Sequence, residues 1–516
     1  MARPHRFSPR IILKIALALA ITIAICLFAS RLSANKAAGP EKSLMESTKA
    51  HYDYKQQHPK SFEKISKVES KALRDYAARR LVRGLKTKNF LEFAYRLRLF
   101  GDIFDTYCQS YPKDPRKCSM TLKGDGLASN GELKRNFVKN STVPLSKRAK
   151  GPLIPYPASA LLWHLEKELF PWAHAKFASL QELKASDRGK GIVIPTGSQY
   201  VRFAIHLVRQ IRHLGCKLSI TIAYAGENDL KVNELAFLQR MDVNTMDVTT
   251  CFDPRRLELG GWEIKPFALV ASPYEQVIMA DADIVFLQNP ELMLDDPGYL
   301  EHGAIIFHDR TLFEGDKGKG EWLNANLPRP LSDRVRNSRM YQRKTAHEQE
   351  SGVVVWDKHR RFNGLLAACK MNVKAEREAV TYKIFYGDKE SFWIGLEMAG
   401  QSFTDLQPTP GVIGFGRWDE EKDQLVACGR ILHFDRQGWP LWFNGAIVTN
   451  KRDEVLSNEI MNFTYFAREG TWNFATSCLD HDVTPINSTL KALINDIISL
   501  WVPKIDYDGP TESPAI

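Results

Sequence analysis

The sequence beyond residue 189 predicts an α/β domain with a mainly parallel central sheet, on two observations. Short continuous apolar runs recur there, and stretches with helical spacing separate them. The strand candidates are GIVIPTG (191–197), LSITIAYAG (218–226), EQVIMADADIVFL (275–287), GAIIFHD (303–309) and SGVVVWD (351–357). Between the first two, Tyr200 to Gly215 puts Phe203, Leu207 and Ile211 on one helical face. Runs without polar alternation fit strands covered on both faces.

Length and charge set the outer bounds. The chain has 516 residues, 44% hydrophobic and 25% charged, which excludes wholesale disorder. No repeat of fixed period occurs, which argues against a solenoid or propeller. The net charge of +11 is not spread evenly: the first 90 residues carry +13 and the remaining 426 carry −2. The bulk of the chain therefore has no charge excess to attract a phosphate backbone, and no nucleic-acid partner is expected.

The N-terminus reads as an anchor. Between Ile11 and Ser30, 17 of 20 residues are apolar and only Lys14 is charged. That length crosses a hydrocarbon core as one transmembrane helix. Arg3, Arg6 and Arg10 precede it, so residues 1–10 are expected as a cytosolic tail and the rest of the chain as lumenal. The run exceeds a signal-peptide core, and no small-x-small cleavage site follows. Sequons at Asn140, Asn462 and Asn487 are candidate glycosylation sites. Cys108 and Cys118 are close enough in sequence to close a short loop. Residues 31–61 read as a polar stem, residues 62–188 as a helical lumenal region and residues 189–516 as the catalytic domain.

Ligands of such sheets bind beyond the carboxyl ends of the strands. Asp281 and Asp283 lie inside the apolar run VIMADADIVFL. On an extended chain two such side chains point the same way, and a pair of carboxylates suits a hard divalent cation on a diphosphate. Other D-x-D sequences, at Asp480 and Asp506, sit in polar tail contexts. DADIV also fits the nucleophile strand of haloacid-dehalogenase-like phosphatases, but that strand opens its domain, and here two strands and a helix come first. Thr196 and Gly197 close the first strand, where small residues let backbone N–H groups approach a nucleotide. Tyr224 ends the second strand, where it can stack on a base. Lys265 stands just before a helix, where it can meet phosphate or sugar hydroxyls. Glu350 lies before a buried strand and Asp388 at a helix start. A helix-capping role is the alternative reading of Asp388.

Seven segments in order carry a resemblance: GIVIPTGSQYVRFAIHLVRQIR, ITIAYAGENDL, GGWEIKPFALVASPYEQVIMADADIVFLQNPELM, FHDRTLF, HEQESGVVVWDK, YGDKESFWIGLEMAG and ILHFDRQGWPLWFNG. Over roughly residues 190–450 the chain resembles the fungal Mnn1-type α-1,3-mannosyltransferases of the Golgi. DADIVF looks more like this branch than like the α-1,2 enzymes, which typically carry a serine-containing acidic motif. The resemblance implies a GT-A-type nucleotide-sugar transferase domain, GDP-mannose as donor and Mn²⁺. It also implies a single-pass type II protein of the Golgi membrane and a mannose-containing glycan as acceptor. The expected metal ligands are Asp281 and Asp283, with His433 as the third. The expected donor contacts are Thr196, Gly197, Tyr224, Lys265, Asp281 and Asp283. Asp388 and Glu350 are the expected catalytic carboxylates, and Trp439, Trp442 and Phe443 an acceptor platform. Another nucleotide sugar, an α-1,2 linkage or a non-catalytic lumenal role are the alternatives.

Overall fold

The computed structural model describes residues 85–109 (87 aside) and 165–511 (174, 175, 178, 407, 408, 454, 455 and 510 aside). The expected span Ile11–Ser30, the stem, the sequon at Asn140 and the pairing of Cys108 with Cys118 lie outside the described residues. Among the described residues no helix is long and apolar enough to cross a membrane.

Among the described residues fourteen strands form two sheets. They are β1 (Lys190–Pro195), β2 (Ser219–Tyr224), β3 (Asn244–Asp247), β4 (Gln276–Ala280), β5 (Ile284–Phe286), β6 (Ala304–His308), β7 (Gln349–Asp357), β8 (Thr404–Leu406), β9 (Gly411–Asp419), β10 (Gln424–Phe434), β11 (Pro440–Asn444), β12 (Tyr465–Glu469), β13 (Cys478–Leu479) and β14 (His481–Pro485). The first sheet has the order β3-β2-β1-β4-β7-β6-β8. β3, β2, β1 and β4 run parallel, and β8 is parallel to β6. β7 alone runs antiparallel to both its neighbours, β4 and β6. The five apolar runs are all strands, and the mainly parallel expectation holds with that one reversal. VVVW is as apolar as its neighbours, so nothing in its composition marks its direction.

The seven helices that matter here are α1 (Phe90–Gln109), α2 (Leu180–Ser186), α3 (Val201–His213), α4 (Ile264–Ala271), α5 (Phe362–Asn372), α6 (Ser391–Ala399) and α7 (Ser488–Ser499). Phe203, Leu207 and Ile211 of α3 are buried as the periodicity requires. On α1, Phe90, Phe93, Ala94, Leu97 and Phe100 recur at helical spacing and are all buried. That face packs on α6 and α5, and Arg96 ties it to Glu168 at 2.6 Å. The described residues form one compact unit.

The run EQVIMADADIVFL is not one strand, as the sequence suggests, but two. β4 belongs to the first sheet, and β5 pairs with β11 in the second. A tight turn joins them, with the Ile284 N–H donating to the Asp281 carbonyl at 3.1 Å. The acids are what break the run, because a strand interior cannot hold two unpaired carboxylates.

The second sheet, β14-β12-β9-β10-β11-β5, is antiparallel throughout. Sequence reasoning missed it. Its signal was present in GVIGFGRWDEEKDQLVACGRILHF, two strand-like runs around an acidic turn. A Cys428–Cys478 disulfide joins β10 to β13 and closes a 50-residue separation, a constraint that contributes about 2–4 kcal/mol. The Cys216, Cys251 and Cys369 thiols are free and buried.

Candidate active site

The turn between the two sheets carries the acidic pair. Because residues 281–283 form a turn, the two carboxylates meet different lysines. Asp281 accepts from Lys265 Nζ at 3.1 Å, and Asp283 pairs with Lys451. The backbone fixes both ends of this turn. The Asp281 N–H donates to the Gly352 carbonyl at 2.8 Å, and the Ala446 N–H donates to the Asp283 carbonyl at 2.7 Å.

Lys265 is the hub. It lies in the first turn of α4, is buried, and is 3.2 Å from Asp388 as well as 3.1 Å from Asp281. It also donates to Ser351 Oγ at 3.1 Å, and Ser351 donates to Asp388 at 3.2 Å. The side chain of Asp388 is thus committed to Lys265 and Ser351, and the capping reading fails. The N-cap of α6 is Glu390, with no side-chain cap.

Glu350, at the start of β7, accepts from the Gly352 N–H at 2.8 Å and from Asn444 Nδ2 at 3.0 Å. Its second oxygen faces Lys389 Nζ at 3.8 Å. Lys389 reaches Asp309 at 2.6 Å. Five carboxylates (Asp281, Asp283, Asp309, Glu350 and Asp388) therefore face three ammonium groups (Lys265, Lys389 and Lys451). Sequence reasoning missed Asp309, Ser351, Lys389, Asn444 and Lys451. Asp309, Ser351 and Lys389 lie inside the segments FHD, ES and GDKE, beside residues that were singled out. Lys451 follows the last matching segment and had no local signal.

Burial dominates the electrostatics. It pushes the Asp281 carboxyl up to about 7, against the pull of Lys265 and with added repulsion from Asp283 and Asp388. Lys265 is held above its ordinary value because Asp281, Asp388 and Glu350 outweigh its own desolvation. Lys389 and Arg310 pull Asp309 down to about 2 despite its burial. Lys265 stays charged among several acids, and Asp281, which shares that ammonium with Asp388, carries the shortfall.

The other predicted residues are less concentrated. Thr196 and Gly197 do close β1, and their turn packs on the segment after β2. The Ser198 N–H donates to the Asp229 carbonyl at 2.7 Å, and a Cβ on Gly197 would meet Asp229 Oδ1 at 2.2 Å. Tyr224 ends β2, paired with Asp247 of β3 and half-buried. Asn462 and Asn487 are exposed, and Asn487 caps α7 by accepting from the Leu490 N–H at 2.9 Å.

His433 does not come to the acidic pair. Among the described residues no group of three His, Cys, Asp or Glu side chains gathers where it could hold a metal ion. The imidazole is stacked on Trp442, with ring centroids 4.0 Å apart, and meets the edge of Phe307. Its Nε2 is buried without a hydrogen-bond partner, and burial pushes its pKa down to about 3. Trp442 and Phe443 are fully buried. They hold the second sheet together and present nothing to an acceptor. Of that trio only Trp439 is exposed.

Stability should respond to pH in two directions. Burial pushes Glu390 up to about 8 and Glu166 up to about 7. Raised carboxyls hold protons that the unfolded chain releases, so their contribution is full below about pH 4.5 and is lost progressively as pH rises from there through 7 to 8. Burial pushes His206 and His347 down to about 4 and His433 to about 3. Their contribution is lost as pH falls below about 6.5. Above about pH 6.5, where the histidines are neutral in both states, melting temperature is therefore expected to fall as pH rises to 8. In a pH series by calorimetry, Glu390→Gln should reduce that fall.

Residues 189–435 match the family model described as "Mannosyltransferase putative". A Candida albicans protein described as "Putative alpha-1,3-mannosyltransferase MNN15" is 25% identical over 374 residues, 60% of this chain and 47% of its own length. Alpha-1,3-mannosyltransferase MNT3 of Saccharomyces cerevisiae is 25% identical over 303 residues, 51% of this chain and 47% of its own. The resemblance read from the seven segments is thereby borne out. The chain spans about half the length of these curated relatives. Among solved structures it is similar to the bifunctional glycosyltransferase WbbM in its apo form, at 11% identity and a TM-score of 0.28, covering 60% of this chain and 59% of that one.

Proposed function

We propose that this chain, whose residues 189–435 match a family model described as "Mannosyltransferase putative", transfers mannose from GDP-mannose to a mannose-containing glycan of a glycoprotein. The linkage is α-1,3 and the donor's configuration is retained. The domain is GT-A-type, residues 11–30 anchor it as a single-pass type II protein, and its site is the Golgi lumen. The disulfide of the second sheet agrees with an oxidising compartment.

One observation carries this reading. The acidic turn between the sheets sits against Lys265, Asp388 and Glu350, a buried constellation that no packing role requires. A divalent cation such as Mn²⁺ fits Asp281 and Asp283, since two carboxylates on one short turn offer hard oxygen donors. When bound there, such an ion supplies positive charge to the leaving diphosphate. His433 is no part of that set, because its ring is enclosed by Trp442 and Phe307.

The chain's own groups do the rest. Lys265 fixes Asp281 and Asp388 at about 3 Å and keeps their charges from driving them apart. Asp388, held on the other side by Ser351, faces the transferred sugar. Glu350 is clamped by the Gly352 N–H and Asn444, which leaves one oxygen to meet positive charge developing at the anomeric carbon. The acceptor oxygen bonds to the anomeric carbon on the face where the bond to the diphosphate oxygen breaks, its proton passes to that leaving oxygen, and the configuration is retained.

The test uses the full-length chain in detergent with GDP-mannose, UDP-sugars and an α-mannobiose acceptor, with Mn²⁺ or with EDTA. A Mn²⁺-dependent gain of one α-1,3-linked hexose from GDP-mannose supports the proposal. Transfer from a UDP-sugar, or an α-1,2 product, replaces the donor or the linkage. No transfer from any donor by folded protein sinks the enzymatic reading.

A further inference from the structure

Four large apolar side chains stand out of the surface beside the acidic cluster and touch one another in sequence through a histidine. Trp262 is 47% exposed, Tyr386 56%, Phe313 51% and Phe474 59%. Trp262 packs on Tyr386 with ring centroids 5.2 Å apart, and Tyr386 meets His347 at 6.1 Å. His347 meets Phe313 at 5.9 Å, and Phe313 meets Phe474 at 4.8 Å. Isolated exposed aromatics need no explanation, whereas a contiguous band bordered by charged groups marks a recognition surface.

The band is joined to the cluster by one turn. Gly387 has φ of +68°, and a Cβ there would meet Trp262 Cε3 at 2.7 Å. That left-handed residue separates Tyr386, which faces out, from Asp388, which is buried against Lys265. Lys389 crosses the same border. Its ammonium lies 5.6 Å from the Tyr386 ring centre, 2.6 Å from Asp309 and 3.8 Å from Glu350. At the other end Phe313 is itself left-handed, at φ 57°, a conformation that a bulky residue adopts only where the surrounding loop imposes it.

We propose that the band from Trp262 through Tyr386 and His347 to Phe313 and Phe474 is the acceptor-glycan platform, on which mannose rings lie by their C–H faces with the terminal hydroxyl directed to Asp388 and Glu350. The proposal rests on the mannosyltransferase reading for the identity of the sugar. Its occupant follows from chemistry on the surface itself. A pyranose has an apolar face that covers an aromatic ring and hydroxyls that need polar neighbours, and this band alternates ring faces with His347, Lys389 and buried carboxylates. It also replaces the trio Trp439, Trp442 and Phe443, two of which are buried in the second sheet.

The experiment is saturation-transfer NMR of the full-length chain with α-mannobiose and, as comparison, cellobiose, on wild type, Tyr386→Ala, Phe313→Ala and the exposed control Trp418→Ala, which is no member of the band. Melting curves verify folding of each variant. Binding of α-mannobiose is expected to weaken about tenfold or more in Tyr386→Ala and Phe313→Ala and to stay unchanged in Trp418→Ala. Where transfer is measured, the acceptor KM should rise by the same factor while the donor KM holds. Unchanged α-mannobiose binding by both folded variants overturns the platform and leaves the mannosyltransferase reading standing. Band-dependent binding of cellobiose alone upholds the platform and overturns the mannose reading. Absence of any saccharide binding by folded wild type overturns the platform.

Discussion

On the proposed mannosyltransferase function, replacing Asp281 by alanine is expected to lower transfer by about a thousandfold while the protein stays folded. The carboxylate stands at the first position of the turn that passes from one sheet to the other, and the backbone holds that turn independently of the side chain. Lys265 keeps Asp388 at 3.2 Å and Ser351 at 3.1 Å after the change, so it is not stranded. Loss of the carboxyl also removes repulsion with Asp283 and Asp388, so the melting temperature at pH 8 should hold or rise. Initial rates with saturating GDP-mannose, a Mn²⁺ titration and a melting curve decide the matter. A variant that retains a tenth of wild-type turnover would show that the acidic turn is not the donor-metal site. A variant that unfolds would place Asp281 in the fold and not in the chemistry.

That separation is possible because the site and the scaffold draw on different signals in the sequence. The parallel strands are legible because burial on both faces writes itself as unbroken apolar runs, and α3 because one face repeats every three to four residues. The direction of β7 is not, since antiparallel pairing in a buried sheet uses the same residues. The second sheet escaped because its edge strands alternate loosely, and β5, its entry point, is hidden inside what looks like a continuation of β4.

At the site, Asp281, Asp283, Lys265, Glu350 and Asp388 were named from their motif contexts, and the fold gathers Asp281, Lys265 and Asp388 within about 3 Å links. His433 misled for a physical reason. A histidine after two apolar residues in a late strand has the same local sequence whether it faces a metal or stacks between Trp442 and Phe307. Only the register of β10 on β11, which sets His433 opposite Trp442, decides it. Lys389 and Lys451 were missed because a lysine's role here lies in which carboxylate it reaches, and Lys451 reaches back 168 residues to Asp283.

The second large effect is expected at Lys265. In Lys265→Met the one ammonium that touches both Asp281 and Asp388 is lost, and two buried carboxylates are left facing each other with Glu350 nearby. Breaking a buried ion pair from one side costs about 3–5 kcal/mol. The cation-free variant should therefore melt far below wild type at pH 8 and recover partly at pH 6, where Asp281 takes up a proton more readily. Transfer should fall by at least about a hundredfold, since the carboxylates lose their fixed separation. A second substitution distinguishes charge balance from chemistry. Lys265→Met with Asp388→Asn removes one charge of each sign and should regain about 1–3 kcal/mol of the lost stability, read as the interaction in a double-mutant cycle. It should not regain transfer, because Asp388 is then neutral. If the double variant is as unstable as the single one, Lys265 supports α4 by packing and not by charge. If it recovers transfer together with stability, Asp388 serves the fold alone, and Glu350 becomes the carboxylate that faces the sugar.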